Sequence, residues 1–476
     1  MGRRWTRLGL KTLVTVALAV AAVACTETTQ EVEPTTTVDT STTTTTTPPA
    51  TTTSPPVGLQ AVGLYRVDPG TLNPLTRSDA ITTGDWISGS ISDNGEWLVL
   101  NIWIDTEPDT DVVQVVEAST GRIVTDVAGP LMHELRVGND GAVYNYFEPG
   151  SCGGHVGRLS PGETRFETVF KTIPNEFCPW SPMTLIDDRR VGWLGMLDTE
   201  PGRQETALMV GDLTDGSSLV IPLPSVTSGM VGQHETNDLV VGEMVEPTVV
   251  WDPDRNRALV VHADEPAVTV VDLNSGEATE HMLTERTSWI DGLLAWLIPP
   301  AHAKGPNTGV TKDAVLGRSG DMLYVGTLSS ELVEGGDGTW SVESTPLGVD
   351  VIDTIGWETV THLEIPADEV ALSPDGQHLV ASGVALTDSA STSSYRPEGA
   401  FIFSTETLEL IGHVQTPGEW YPDIQFSADS RYLYVGRDGG GPIRIVDLAI
   451  GEETDMISGT DQLTVFGEVA MLSTRR

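Results

Sequence analysis

Three observations in the sequence predict an all-β fold, a β-propeller of four-stranded blades. The first is a tight turn rich in Asp, Asn and Gly that precedes an apolar strand. It returns six times, at 92–95, 138–141, 252–255, 317–320, 372–376 and 426–429. Asp, Asn and Gly suit such turns because they tolerate positive φ or bond their own backbone. The second is a strand–turn–strand pattern, Val270-Val271-Asp272-Leu273-Asn274-Ser275-Gly276-Glu277, echoed by Ile445-Val446-Asp447-Leu448-Ala449-Ile450-Gly451-Glu452. Four short strands repeating every 40 to 55 residues or so indicate blades of a propeller. The third is the match between the two ends. Residues 62–77 read as third and fourth strands, and 462–473 as first and second, so together they make one composite blade.

Complete units start near Trp86, His133, Trp180, Pro247, Lys312, Asp368 and Tyr421, seven in all. With the composite blade the expected count is eight. A seven-bladed ring is the alternative if the 133–174 unit is irregular.

Along the chain, residues 1–25 read as an export leader. Arg3, Arg4, Arg7 and Lys11 form a basic start, and 12–24 is an apolar run too short for a comfortable membrane span. The run ends Ala22-Val23-Ala24-Cys25, which resembles the lipobox of bacterial lipoproteins. That resemblance implies cleavage before Cys25 and lipidation of its thiol. The protein would then sit on the outer surface of the bacterial cell membrane, touching it only through the lipid. An ordinary secretory signal is the alternative. Arg3-Arg4 also resembles a twin-arginine signal, so the export route stays open. Residues 26–57 are dominated by Thr and Pro and hold almost no large apolar side chain. Such a stretch cannot offset its ordering entropy, so it reads as a disordered tether. Residues 58–476 are the propeller.

The Ser373-Pro374-Asp375-Gly376 turn before His378-Leu379-Val380 resembles the repeats of TolB-like and WD-repeat-like propellers. The copies at 259–273 and 432–448 also resemble the YVTN type of surface-protein repeat. These resemblances imply architecture and say little about function, because one propeller scaffold hosts many roles.

Loop lengths distinguish the two faces of the expected ring. The turns after strands one and three are short. The connections after strand two and between blades hold the long segments 101–111, 148–155, 196–205, 224–246, 284–311, 327–346 and 383–399. Long loops on a rigid scaffold are where binding sites usually arise. Cys152 and Cys178 fall on adjacent segments of that face. Outside the cytoplasm a disulfide between them is expected, closing a loop of about 27 residues.

Several residues are candidates for binding. Asp105, Glu107, Asp109 and Asp111 alternate in one loop and offer hard oxygen ligands suited to calcium, although Thr110 stands where a calcium loop of the EF-hand type needs Gly. Asp198 and Glu200 repeat the same wording. Solvated acidic loops are the alternative, and no other cofactor is expected. Trp86, Trp180 and Trp420 open the first strand of three units, where they can stack on a ligand at the channel rim or pack between blades. The apolar stretch 289–300 either contacts a partner or covers the domain's own core. Motifs for known catalysis and phosphate binding are missing, and the histidines, among them His133, His155, His234, His262 and His302, are scattered.

The chain carries 68 acidic against 26 basic side chains, a net charge of −42. That excludes nucleic acid as a direct partner, because phosphate recognition needs clustered cations. The acidity reads as the hydrated surface of an exported domain. The expected function is therefore a monomeric, non-enzymatic binding or scaffold protein whose long-loop face takes an extracytoplasmic protein or glycan. Two alternatives remain: a propeller enzyme of the lactonase, lyase or glycan-hydrolase type with a channel site, and a TolB-like structural component of the envelope.

Overall fold

The structure is a computed structural model. It describes residues 61–474 except 68, 71–73, 81–85, 93, 105–109, 130–134, 148–151, 174–175, 201–202, 237–238, 286–307, 335–339, 390–392, 416–421, 438–442, 458–461 and 467–468. The expected leader, tether and Cys25 lie outside these residues, as does the 289–300 stretch.

The chain is an all-β propeller. Sequential strands pair antiparallel in quartets, and each quartet follows the period expected from its turns. The first comprises Trp86–Ile91, Trp97–Ile104, Thr110–Glu117 and Arg122–Gly129. The second comprises Leu135–Val137, Val143–Phe147, Gly154–Leu159 and Glu167–Ile173, so the unit that looked weakest in the sequence is a regular four-stranded sheet. In the third, the first strand is split into Phe177–Pro179 and Thr184–Leu185, followed by Arg190–Glu200, Arg203–Asp212 and Ser218–Pro222. The fourth runs Thr248–Asp252, Arg257–Val261, Ala267–Asp272 and Ala278–Met282. Later come Pro422–Phe426, Tyr432–Arg437, Ile443–Asp447 and Glu452–Ile457.

The two ends build one sheet. Gln462–Phe466 and Val469–Thr474 supply two strands, Ala61–Val67 and Pro74–Ala80 the other two, in the order 74–80, 61–67, 469–474, 462–466. Ala61 lies opposite Thr474 and Arg66 opposite Val469. This sheet touches Arg122–Gly129 on one side and Pro422–Phe426 on the other, and the Tyr434 hydroxyl donates to the Pro69 carbonyl at 2.9 Å.

Among the described residues hydrogen bonding yields seven sheets, because one of them has eleven strands. That sheet contains two quartets. One is Thr308–Leu316, Met322–Glu334, Trp340–Asp353 and Glu358–Leu363; the other is Glu369–Leu372, His378–Ser389, Ser393–Ser404 and Leu410–Val414.

The core lies in the seams between neighbouring quartets. Val99, Val113, Leu135 and Val143 pack together where the first quartet meets the second. Tyr146, Phe170, Phe177 and Trp193 fill the next seam, and Leu208, Ile221, Trp251 and Val260 the one after. Strands buried on both faces need apolar residues at successive positions, which is why Leu98-Val99-Leu100 and Leu259-Val260-Val261 are unbroken apolar runs.

Three of the recurring turns share one construction. Ser92, Ser373 and Ser427 each donate from Oγ to the Asx side chain two residues on, at 2.7, 2.6 and 2.6 Å. The same Oγ accepts the backbone N–H five residues on, at 3.0, 3.0 and 2.8 Å. The turn then requires a left-handed residue, filled by Gly95, Gly141, Gly320 and Gly376 and, less comfortably, by Asn256 and Ser430. Neighbouring turns also bond to one another. The Asn94 N–H donates to Asn139 Oδ1 at 3.0 Å, Arg190 to Asn256 Oδ1 at 2.6 Å and the Asp375 N–H to Ser430 Oγ at 2.9 Å, while Arg255 pairs with Asp321.

The second motif is explained as well. At the end of a third strand, Asp212, Asp272, Asp353 and Asp447 each accept the N–H two residues on through Oδ1, between 2.7 and 3.0 Å. The Ser275 and Asn274 N–H groups hold the Asp272 carboxyl below its ordinary range, led by the Ser275 backbone bond. Such bonds favour the ionised form in the folded state, so their contribution is present above the ordinary pKa of 3.8 and is lost as pH falls through the lower folded value.

Two outcomes follow. Deleting 462–476 removes two of the four strands of the composite sheet, and the truncated chain should lose the cooperative denaturant transition of the full chain, read by tryptophan fluorescence. Asp272→Asn keeps an acceptor that does not titrate. In a urea series between pH 5 and pH 2 it should lose less stability than the parent, and an identical acid profile would refute the turn assignment.

Candidate functional site

The segments expected to be long loops are mostly strands. Met322–Glu334 and Trp340–Asp353 form one hairpin, leaving 335–339 between them; His378–Ser389 and Ser393–Ser404 form another, leaving 390–392. Residues 229–246, also expected to be loop, hold the hairpin Gly229–Thr236 and Leu239–Glu246, and 196–205 lies in the 190–212 hairpin. The physical reason is alternation. In 343–347 the side chains run exposed, buried, exposed, buried, exposed, with Ser344 and Pro346 inside. That period of two fits a half-buried strand.

The hairpins leave their quartets at matching places. A register shift at Thr327/Leu328 faces Gly348, whose φ is +112°; a second at Gly383/Val384 faces Gly399, with φ +100°. Bulges of this kind bend a strand and increase its twist. Beyond them the two hairpins pair with each other, Ser341 opposite Ser389 and Ser344 opposite Leu386. The 239–246 strand adds in parallel, Val245 opposite Val310. Three hairpins thereby become one continuous surface on the face that carries the connections after strand two.

The predicted site residues do not come together here. Asp105, Glu107, Asp109 and Trp420 lie outside the described residues. Asp111 belongs to the strand Thr110–Glu117 rather than to a loop, is buried, and stands opposite Trp103 and Gly129. Asp198 is in a strand and accepts from Gln204 at 3.0 Å. Trp86 opens its strand as expected. Trp180 is half-buried and packs against the seam that contains Ile186, Leu194 and Trp251.

The channel was not legible in any single motif. First strands from seven quartets line a cavity of about 760 Å³, which includes the turn residues 138–140 and 187–188. It therefore lies toward the short-turn face, away from the hairpins. Its walls carry Ile91, Val137, Val250, Ala314, Val370 and Ile424, with Arg136 among the acids Asp140, Asp187, Asp188, Asp313 and Glu369. Several of those acids are already engaged. Asp140 pairs with Arg158 at 2.9 Å, Asp187 with Arg190 at 2.6 Å, and Asp313 accepts the Val370 N–H at 3.0 Å. These contacts tie neighbouring elements together, and the volume is that of a small-molecule pocket.

Cys152 and Cys178 are joined, with 4.1 Å between their Cα atoms. Cys178 sits opposite Met196 in the third quartet, and the Gly153 N–H donates to the Phe177 carbonyl at 2.9 Å. The bond ties the strand-two connection of the second quartet to the first strand of the third. With its ends 26 positions apart, it stabilises the fold by roughly 3 kcal/mol on the loop-entropy account. Replacing both cysteines by serine should lower the free energy of unfolding by about 2–4 kcal/mol, measured by urea titration.

No protein family and no curated protein matches the sequence. Among solved structures, the chain is similar to the dihydro-heme d1 dehydrogenase NirN in complex with DHE, at 13% identity and a TM-score of 0.45, covering 84% of this chain and 73% of that one. It is similar to a eukaryotic initiation factor at 10% identity and a TM-score of 0.45, covering 87% and 98%. It is also similar to a 6-phosphogluconolactonase candidate from Bacteroides fragilis NCTC 9343, at 16% identity and a TM-score of 0.41, covering 86% and 97%. These likenesses are too remote to lend this chain any of those activities.

Proposed function

We propose that the chain is a lipid-anchored, extracytoplasmic binding protein that presents a β-propeller to a protein partner through its hairpin face. In this reading Cys25 carries the anchor and 26–57 is the tether. The 308–363 and 369–414 quartets count as separate blades, which makes eight with the composite one.

The observation that carries the reading is the continuous sheet built by the three hairpins. A ring needs only short turns between its strands, so these extensions are not required to close it. The outer stretch 393–397 pairs with 384–388 on one side, and among the described residues its other edge has no strand beside it. An exposed strand edge offers backbone donors and acceptors to an extended partner segment. That favours a protein over a glycan. The channel supports the enzyme reading less, since acids such as Asp140, Asp187 and Asp313 hold their own neighbours.

Excising 329–345 and 385–397 and closing each hairpin with a two-residue turn tests this. The parent, used as bait on extracts of its native cell surface, should retain a partner that the shortened protein loses. The thermal midpoint of the shortened protein should stay within a few degrees of the parent's. Equal retention by both would refute the hairpin face as the docking surface, and partner loss reversed by polysaccharide competitors would reassign it to glycans.

A further inference from the structure

We infer that the turn His262-Ala263-Asp264-Glu265-Pro266 is a binding site for a divalent transition-metal ion. This turn links strands two and three of the 248–282 sheet, and it is on the same face as the hairpins. One ligand atom each from His262, Asp264 and Glu265 lies within 4.8 Å of the others. Ligands about 2.0–2.2 Å from a shared tetrahedral ion stand about 3.3–3.6 Å apart, so the carboxylates must swing inward by up to about 1.5 Å to close on it.

The imidazole is the centre of the case. His262 is fully buried, with Nε2 at 2.8 Å from Thr269 Oγ1 and Nδ1 at 3.0 Å from Glu265 Oε1. If Nε2–H donates to the buried Thr269 hydroxyl, Nδ1 presents a lone pair toward a carboxylate. Two lone pairs at that distance need a proton or a metal ion between them. Metal-bound imidazoles usually have their other N–H fixed by an acceptor in this way.

The second observation is Asp264. Its Oδ1 is buried and has no hydrogen-bond partner. An unsatisfied buried polar atom costs about 1–3 kcal/mol, more when charged, and a shared cation would satisfy it. The backbone is already fixed for the purpose: the His262 N–H donates to the Ala267 carbonyl at 3.0 Å and the Leu283 N–H to the Pro266 carbonyl at 2.8 Å. One imidazole nitrogen with two carboxylates suits ions of the Zn²⁺, Co²⁺ or Mn²⁺ kind, while a site for calcium would use oxygen alone. The side chain of Glu265 is 39% exposed, which leaves the ion an entry path.

Co²⁺ titration of the full chain, followed by visible absorption, is the test. One equivalent should bind with ligand-field bands, and Zn²⁺ should displace it. Asp264→Asn and Glu265→Gln, which keep side-chain size and shape, should abolish the bands while thermal unfolding without metal stays cooperative. Thr269→Val should weaken binding roughly 10–100-fold, as expected for a residue that orients the ligand. Glu277→Gln, in another turn of the same sheet, should bind like the parent. Bands absent from the parent would overturn the assignment. So would equal Co²⁺ affinity in Asp264→Asn, Glu277→Gln and the parent, which would mark a diffuse counterion cloud.

Discussion

Everything in this ring depends on a pairing between residues some four hundred positions apart. Strand Ala61–Val67 lies against Val469–Thr474 for six consecutive residue pairs. The inner strands of the first and later quartets bury apolar side chains on both faces, so a quartet left at an end would expose one of those faces to water. The composite sheet supplies the missing neighbour to both the first quartet and the last. The ring is then closed, and the first strands of seven quartets converge on the channel. The order of events is non-local, since the closing contact cannot form until the intervening units have shortened the distance between the ends.

The short turns complement this closure on one face. Each places one residue in the left-handed region, three of them brace it with a serine and an Asx residue, and several also reach the next turn. Local turn chemistry and inter-blade cohesion therefore come from the same few residues. The opposite face is organised differently. There the strands overrun the blade, bend at a bulge beside Gly348 or Gly399, and hydrogen-bond outside the ring. One face is stitched tip to tip, and the other is extended into a platform.

Much of this was readable in the chain. Asp272 and its counterparts announced the third-to-fourth turns because an Asx acceptor and a following Gly act locally. The ends announced their union because their patterns are halves of one unit. The hairpins were missed for a physical reason. Segments such as Ser329-Ser330-Glu331 are polar enough to pass for loop, and their pairing with 343–345, like that of 341–344 with 386–389, is specified by tertiary register, not by local preference. The channel was missed because its lining takes a few residues from each of seven units. His262 looked like one more scattered histidine, since nothing in the sequence indicates that its ring is buried against Thr269 with two carboxylates around it.

Placing both ends of the domain in one sheet has a mechanical consequence. A load applied to the chain ahead of residue 61 would fall on a strand flanked on both sides, by 74–80 and by 469–474. Load entering there is shared at once between two ladders of hydrogen bonds and passes into the seams on either side of the composite sheet. No blade hangs from the attachment point as a free terminal module that can peel away by itself. The ring therefore resists traction as a unit, and if it yields, the first part to open is the closure that holds it together.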